Sequence, residues 1–180
     1  QVTLKSREIV ERLEGRIPPA YAEEWDNVGL LAGRADKEVK TIYVALDASD
    51  EVIEEAVRVR ADMLVTHHPL LFSPVKRVIE EDIAGRRLIK ILKADMCYFA
   101  MHTNYDVAVM ADGAARRMKL LGAEPLEVTC IMDEGEGGFG RTGRLKEPVS
   151  LEEYAKEIKE IFGLPSVNVY GDPKRIVARA

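Results

Sequence analysis

Hydrophobic and polar positions along the first two-thirds of the chain alternate between a helical and an extended pattern. Apolar residues recur at near-helical spacing in residues 3–15, which stop at Gly15 before a double proline, and this predicts an amphipathic helix. Residues 41–47 form a nearly continuous, β-branched apolar run, which is typical of a strand covered on both faces. Ser49 is a suitable N-cap for a helix that runs to about Arg60.

The same unit repeats further along the chain. The pattern predicts strands at 62–66 and 96–101 and helices at about 82–93 and 111–121. Strands that alternate with helices indicate parallel crossovers. We therefore expect the α/β class, with a layered sheet and flanking helices.

The pattern changes after Gly122, where we place the start of a second lobe. It contains three kinds of segment: a strand-like run at 125–132, a glycine-rich stretch at 135–145 and a helix from Ser150 to about Phe162 that opens with an S-x-x-E capping box. A last strand-like segment, KRIVARA, ends the sequence without a turn or polar tail. The expected domains are a complete metal-binding α/β lobe at 1–122 and a partial, truncated α/β lobe at 123–180.

Composition narrows the classes of partner. The chain has 180 residues, 47% of them hydrophobic, with a formal net charge of −5 and a sequence pI of about 5.4, so nucleic acid and anionic membranes are poor default partners. No apolar stretch approaches the roughly 20 residues that cross a bilayer, and no signal peptide is evident. We expect a soluble, cytoplasmic protein. Cys97 and Cys130 form no C-x-x-C pair, and Cys97, inside an apolar run, is interpreted as a small buried hydrophobe.

All three histidines lie where predicted strands end. His67 and His68 belong to MLVTHHP, and His102 belongs to CYFAMHTNYD, which also supplies Asp106. Ligands of open α/β sheets bind beyond the carboxyl ends of the strands, and imidazole nitrogen and carboxylate oxygen are good donors for divalent transition ions. These side chains are the candidate metal site.

Several interpretations of the histidines stay open. Successive side chains of a strand point to opposite faces, so His67 and His68 would serve two ions, or one ion if the strand bends near Pro69. The alternative is a pair of structural histidines, hydrogen-bonded at a strand end. His102 is a metal ligand, a group that orients a ligand, a base that acts on metal-bound water, or a structural loop residue.

Neighbouring residues have simpler interpretations. Asp47 is either an acceptor for a histidine N–H or a turn residue. Thr66, Thr103 and Asn104 are predicted to be loop hydrogen-bonding groups rather than reactive ones. Trp25, the only tryptophan, is expected to anchor its loop against the core, with a lesser chance that it walls the pocket.

Residues 138–143 match G-x-G-x-x-G, a pattern often associated with dinucleotides. That function requires a helix that opens directly from the motif, whereas residues 144–149 intervene before the next helix. We therefore reject it. The glycines are expected to allow close backbone approach between the lobes, with Arg141 as an anion contact.

Four motifs taken together resemble the Nif-three-like family, whose bacterial and archaeal members are often labelled GTP cyclohydrolase 1 type 2 homologs. They are Trp-Asp-Asn-x-Gly-Leu at 25–30, Thr-His-His-Pro at 66–69, His-Thr-Asn-Tyr-Asp at 102–106 and Gly-Phe-Gly-Arg-Thr-Gly at 138–143. They run in order through nearly the whole chain, which makes the combination far more specific than any single motif.

The resemblance implies two divalent metal ions (Zn, Mn, Fe, Co or Ni) between two α/β lobes, and a homo-oligomer, commonly a hexameric ring. His67, His68 and Asp106 match family metal ligands, and His102 matches an active-site histidine beside them. The family also draws a histidine and a glutamate from its far C-terminal region, and no histidine follows residue 102 here. We expect this segment to hold metal weakly or singly unless water or a further portion completes the shell.

The leading functional hypothesis is a dinuclear metal-dependent hydrolase that acts on a small molecule, with a nucleotide as the candidate substrate. A metal centre would activate water, and His102 would manage protons. Ring opening of the GTP cyclohydrolase kind follows from the resemblance alone, because no guanine pocket is visible in the sequence. The alternative is a metal-stabilised interaction or regulatory scaffold without catalysis.

Overall fold

The structure, a computed structural model, describes residues 3–180. The chain divides into two compact units, Gln1–Tyr105 and Asp106–Ala180. The sequence pattern places its boundary later, at 122/123; in the structure Arg141 of the glycine-rich stretch binds Val107 and Asp112 in the helical segment that follows Tyr105. Gln1 and Val2, with which the predicted first lobe begins, lie outside the described residues.

The first unit contains most of the elements that hydrophobic patterning predicts. In chain order they are β1 (Leu4–Lys5), α1 (Ser6–Glu14), a 3₁₀ turn (Pro19–Tyr21), β2 (Gly29–Ala32), β3 (Glu38–Val39), β4 (Ile42–Ala45), α2 (Asp50–Arg58), β5 (Met63–Thr66), α3 (Ile83–Lys93), β6 (Cys97–Ala100) and the helical turn α4 (Thr103–Tyr105). The predicted helices α1, α2 and α3 and strands β4, β5 and β6 are confirmed. Strands β1, β2 and β3 were not predicted; β1 and β3 have two residues each, too few to show a period.

The central sheet of the first unit has the order β2-β6-β5-β4 in the described part of the chain. Strands β4, β5 and β6 pair in parallel, as the alternating pattern predicts. Strand β2 runs antiparallel to β6 at the other edge. The parallel register places Ala45 beside Thr66, and Thr66 beside Ala100. The chain therefore leaves all three parallel strands at one edge of the sheet.

Strands β5 and β6 are buried at every position. On one face Leu64 and Tyr98 pack with Ile53 of α2 and Ile91 of α3. On the other face Met63, Val65, Cys97 and Phe99 pack with Ile9 of α1. Burial of each large apolar side chain contributes roughly 1.5–3 kcal/mol, so these two strands form the core of the first unit. The buried Cys97 matches its interpretation as a small hydrophobe.

Strand β4 differs from its prediction. Residues 41–47 were expected to be covered on both faces, and this is wrong, because Ile42 is exposed and 73% of Val44 is accessible. The physical reason is position: β4 is an edge strand, and α1 packs over β5 and β6 rather than over β4. Hydrophobic content alone did not distinguish a central strand from an edge strand.

The second unit contains a π-helical turn (Asp106–Met110), α5 (Ala111–Arg117), β7 (Leu121–Met132), β8 (Gly135–Ser150), α6 (Leu151–Phe162) and β9 (Ile176–Arg179). Strands β7, β8 and β9 form an antiparallel sheet. The helix predicted to reach residue 121 ends at Arg117, since Lys119 adopts a left-handed φ of 55° that a helix cannot continue.

Helix starts follow their sequence signals. The Ser49 hydroxyl accepts a hydrogen bond from the Val52 amide at 3.2 Å. The predicted capping box of α6 forms, because Ser150 Oγ accepts from the Glu153 amide and the Glu153 carboxylate accepts from the Ser150 amide. Among helices of residues 3–180, none has the length and apolar character needed to cross a membrane.

The glycine-rich stretch is part of β8 and no helix opens from residues 138–143, in agreement with the rejection of a dinucleotide motif. Gly138 pairs with Val128, and a Cβ atom at Gly138 would lie 1.8 Å from the Glu127 carbonyl oxygen. The close approach that requires glycine is therefore between β7 and β8 of one unit. The expected close approach between the lobes stays a prediction.

Asp95, in the turn after α3, provides a pH-dependent link in the first unit. Hydrogen bonds from Arg34 and Lys37 lower the pKa of Asp95 from its usual 3.8 to about 2. A carboxyl group with a lowered folded-state pKa stabilises the fold above its unfolded pKa, and this contribution is lost as the pH falls from about 4 to about 2. We expect Asp95→Asn to lower the Tm modestly at pH 7, because the ion pairs are exposed.

Asparagine tolerates the left-handed backbone of position 95, where φ is 51°, so the substitution changes the charge and little else. The Tm of the parent and Asp95→Asn proteins should converge as the pH is lowered through this range and as salt is added. A difference in Tm that is the same at pH 7 and at the acid end would contradict the assignment.

Candidate functional site

The edge at which β4, β5 and β6 end carries the three histidines of the chain. His67 follows β5 directly, and His102 comes two residues after β6. Their imidazole rings converge with that of His68: the distances between ring centroids are 4.7 Å for His67 and His68, 5.1 Å for His67 and His102, and 5.5 Å for His68 and His102. The structure thus brings together the three histidines that the sequence placed in two separate segments.

Hydrogen bonds made by the Thr66 and Tyr98 hydroxyls hold the chain in a bend, and this bend lets His67 and His68 approach each other. The Thr66 hydroxyl donates to the His68 carbonyl at 2.9 Å and lies 2.7 Å from the Tyr98 hydroxyl. The Tyr98 oxygen in turn accepts from the Leu70 amide at 2.7 Å. Burial raises the pKa of Tyr98, which keeps its hydroxyl proton in place. The chain therefore bends directly after β5, which is the condition under which both histidines were expected to serve one ion.

Asp47 binds His68. Its Oδ1 lies 2.7 Å from His68 Nδ1, and both side chains are exposed to solvent. The His68 amide also donates to the Leu46 carbonyl at 3.0 Å, which joins the ends of β4 and β5. The predicted contact between Asp47 and a histidine ring is therefore present.

Asp26 binds His102 in the same way, and sequence reasoning missed it. Asp26 Oδ1 lies 3.0 Å from His102 Nδ1, and the Asp26 side chain has no accessible surface. Its second oxygen accepts from the Thr103 amide at 3.0 Å and from the Thr103 hydroxyl at 2.5 Å. Burial alone raises the pKa of Asp26, but hydrogen bonds from Thr103, His102 and Asn27 outweigh it, and the net pKa lies below its usual value.

Thr103 and Asn104, which follow His102, are hydrogen-bonding groups as predicted, although they lie in the helical turn α4 and not in a loop. The Thr103 hydroxyl accepts from the Glu23 amide at 3.0 Å. Asn104 accepts from the His102 amide at 3.0 Å and donates to the Ile17 carbonyl at 3.2 Å. These bonds fix the backbone on both sides of the His102 ring.

Trp25 differs from its prediction as a core anchor. It is 57% exposed, and its ring centroid lies 6.3 Å from that of His102 and 5.7 Å from that of Phe72. Its neighbour Asp26 makes the buried contacts instead. The less favoured interpretation, that Trp25 walls the space beside the histidines, is the one that the geometry supports.

A depression of about 400 Å³ adjoins the histidines on the side of β4. His67 and Tyr105 lie on its rim, with 6.1 Å between their ring centroids. The remaining lining is mostly apolar, from Val44, Ala45, Leu46, Val65, Thr66 and Met101. The edge of the sheet therefore offers space beside His67 for a group of moderate size.

Asp106 opens the second unit as the first residue of its π-helical turn. Arg141 holds this turn: its guanidinium donates to the Val107 carbonyl at 3.5 Å and to the Asp112 carboxylate at 2.6 Å. It also donates to the carbonyls of Gly138 and Gly140 and is only 6% exposed. The predicted anion contact of Arg141 is thus the carboxylate of its own chain, and its role is to fix the turn that begins at Asp106.

The imidazoles and their carboxylates fit the chemistry of a divalent transition ion. Metal-binding histidines almost always donate one ring N–H to a carboxylate or carbonyl, which orients the other nitrogen toward the ion. His68 with Asp47 and His102 with Asp26 have this arrangement. Residues 3–180 contain no group of three or more His, Cys, Asp or Glu side chains arranged closely enough to hold a metal ion. The roles of His67, His68 and Asp106 as ligands therefore belong to the proposal below.

Fold and site together define a mixed α/β protein with several sheets, flanking helices and a histidine–carboxylate cluster at the carboxyl ends of parallel strands. Residues 4–180 match the model of Duf34/NIF3 (NGG1p interacting factor 3), and the chain belongs to this family.

Relatives agree with this assignment, and a solved structure shares the fold. The chain is 30% identical over 174 residues to the GTP cyclohydrolase 1 type 2 homolog of Clostridium acetobutylicum, covering 95% of this chain and 64% of that protein. It is 31% identical over 180 residues to the homolog of the same description from Clostridium perfringens, covering 98% and 67%. The chain thus spans about two thirds of the length of these relatives. The crystal structure of a Bacillus cereus protein related to NIF3 shares the fold, with a TM-score of 0.88, 20% identity, and coverage of 99% of this chain and 76% of that one.

Asp26 and Asp47 form a matched pair for testing how the imidazoles are held. Asp26→Asn replaces one acceptor oxygen in a buried site by an NH₂ group, so a donor of Thr103 or His102 loses its partner, at a cost of about 1–3 kcal/mol in the free energy of unfolding. Asp47→Asn acts on an exposed pair and should cost less than about 0.5 kcal/mol. Urea unfolding of both variants measures the difference. Equal losses would mean that the burial of Asp26 has no energetic role.

Proposed function

We propose that this chain is the histidine-bearing part of a metal-dependent hydrolase, in which His67, His68 and Asp106 bind divalent metal and His102 transfers protons. The observation that carries the proposal is the convergence of three imidazoles within 5.5 Å of one another, two of them hydrogen-bonded to carboxylates. Structural histidines at strand ends do not require such convergence.

Imidazole and carboxylate donors suit divalent ions of the Zn, Mn, Fe, Co or Ni type, and the proposal takes the number of ions, two, from the family resemblance, with the further portion of the protein completing the shell. When bound, such ions lower the pKa of water and stabilise developing negative charge on oxygen. Asp47 orients His68 through its Nδ1 atom, which leaves Nε2 as the donor nitrogen. Asp106, in the turn that the contacts of Arg141 hold, would supply a carboxylate ligand.

His102 has the features of a group that handles protons. Its Nδ1 atom is held by the buried Asp26, so the N–H is assigned to Nδ1 and the lone pair to Nε2. Fixed in this way, the ring accepts a proton at Nε2 and returns it without reorienting. The carboxylate stabilises the imidazolium that forms.

The substrate class proposed is a nucleotide or a related small molecule. The curated relatives are named as homologs of a GTP cyclohydrolase, and this supports the class without selecting GTP. A homo-oligomer, with a hexameric ring suggested by resemblance, and a cytoplasmic location stay predictions.

A second candidate is a metal-stabilised interaction or regulatory scaffold. It is favoured by the apolar surface next to the histidines, where Val44 of the edge strand β4 and Leu46, just after it, are largely exposed. Exposed apolar groups on a strand edge are typical of contact surfaces. In this case metal would hold the assembly together and no substrate would turn over.

Metal content and turnover, measured on the same variants, separate the two candidates. We expect the protein dialysed against Co²⁺ or Mn²⁺ to retain metal, and His67→Ala, His68→Ala and Asp106→Ala to lose most of it. His102→Ala should retain metal but lose turnover of a nucleotide panel by roughly 10²–10⁴-fold, the usual contribution of general acid–base catalysis.

Asp133→Ala is the matched control for Asp106→Ala, because Asp133 is an exposed carboxylate in the turn between β7 and β8 of the same unit. It should change neither metal content nor turnover. Equal metal content in Asp106→Ala and Asp133→Ala would exclude Asp106 as a ligand. Retained metal without turnover of any nucleotide in the parent protein would favour the scaffold.

A further inference from the structure

Two exposed aromatic side chains lie beside His102. Trp25 is 57% exposed and Phe72 is 51% exposed. Their ring centroids are 5.7 Å apart with a tilt of 56°, and they lie 6.3 Å and 6.4 Å from the His102 ring, each nearly perpendicular to it. A large part of each ring therefore faces solvent at the place where the proposed reaction occurs.

The segments that carry this aromatic pair are held by polar contacts. The residue after Trp25 is Asp26, whose side chain is inaccessible and bound to His102 and Thr103. The next residue, Asn27, donates through its side-chain amide to the Leu71 carbonyl at 2.5 Å, directly before Phe72. The two loops are thus joined at the base of the pair, while the rings themselves stay accessible.

This arrangement favours ligand binding over a packing role. A tryptophan that only anchored its loop would bury its ring, since burial of the large apolar surface is its main contribution to stability. Here short polar side chains anchor the loop, and the ring is presented in a fixed position. Rings held in advance lose little conformational entropy when a ligand binds.

We infer that Trp25 and Phe72 form a stacking platform for a planar heteroaromatic ring of the molecule that reacts at His102. The inference rests on the proposed function, because it places the substrate beside that histidine. Aromatic side chains bind nucleobases through their π faces with little dependence on base identity. The platform therefore selects a ligand class, the nucleobase or a similar heterocycle, and not one particular base.

Trp25 is itself the reporter for this inference, because it is the only tryptophan in the chain. The probes are adenosine and guanosine 5′-monophosphates, with ribose 5-phosphate as the control that keeps sugar and phosphate but lacks the ring. We expect both nucleotides to quench Trp25 fluorescence in a saturable way, with excitation at the red edge of tryptophan absorption. Ribose 5-phosphate should have no such effect.

Phe72→Leu keeps an apolar side chain but removes the ring, and it should raise the nucleotide Kd about tenfold. Tyr170→Leu is the matched control, because Tyr170 is an exposed aromatic residue of the second unit, and it should leave the Kd unchanged. Both sites are on the surface, so the far-ultraviolet circular dichroism of the variants should equal that of the parent.

Three results would overturn the inference: equal quenching by ribose 5-phosphate, no quenching by either nucleotide, or an unchanged Kd in Phe72→Leu. A Trp25 spectrum that responds to protein concentration but not to nucleotide would assign the platform to a second copy of the chain. The titration is made with and without Co²⁺. If the protein dialysed against Co²⁺ retains no metal but still shows nucleotide quenching, the metal-dependent function is refuted and the stacking platform stands.

Discussion

The parallel pairing of β4, β5 and β6 is the constraint on which the site depends. Ala45, Thr66 and Ala100 pair in register, so the polypeptide leaves all three strands at the same edge of the sheet. His67, His68, His102 and Asp47 are consequently neighbours, although they come from three separate segments. The cost of ordering these segments is met by the core of β5 and β6, which are buried at every position.

Beyond the strand ends, buried polar groups take over the positioning of the imidazoles. The Thr66 and Tyr98 hydroxyls hold the bend at His68, and the Asp26 carboxylate holds His102. Each group satisfies backbone donors or acceptors that the end of a strand leaves without ladder partners. The same bonds that make the loops stable therefore determine where the rings point.

Sequence patterns predicted the elements with a strong period and missed contacts between distant segments. The continuous apolar runs of β5 and β6 and the caps at Ser49 and Ser150 were recognisable because their signals are local. Asp26 was missed because it lies 76 residues from His102, and a Trp-Asp-Asn segment has the local signature of a turn. The nearby polar residue Glu24 gave no sign that the Asp26 side chain would be inaccessible.

The place of a strand within the sheet, and of a segment within the two units, was equally hard to predict. The apolar content of β4 indicated coverage on both faces, yet whether a strand lies at an edge depends on how the other strands pair. The change in pattern after Gly122 suggested a boundary there, whereas the ion pair of Arg141 with Asp112 joins the preceding helix to the sheet of the second unit. The error for β4 comes from long-range pairing, which no window of local sequence contains.

The two carboxylate–imidazole pairs differ in a way that suits different tasks. Asp47 and His68 are exposed, so their attraction is screened by water and the ring is free to adjust its orientation. Asp26 is inaccessible and keeps a lowered pKa through its hydrogen bonds, so its negative charge acts on His102 through a medium of low polarity. An adjustable imidazole suits a ligand that must meet an ion, and a fixed imidazole beside a buried charge suits proton transfer. The burial of their partners thus supports the proposed assignment of His68 to metal and His102 to protons.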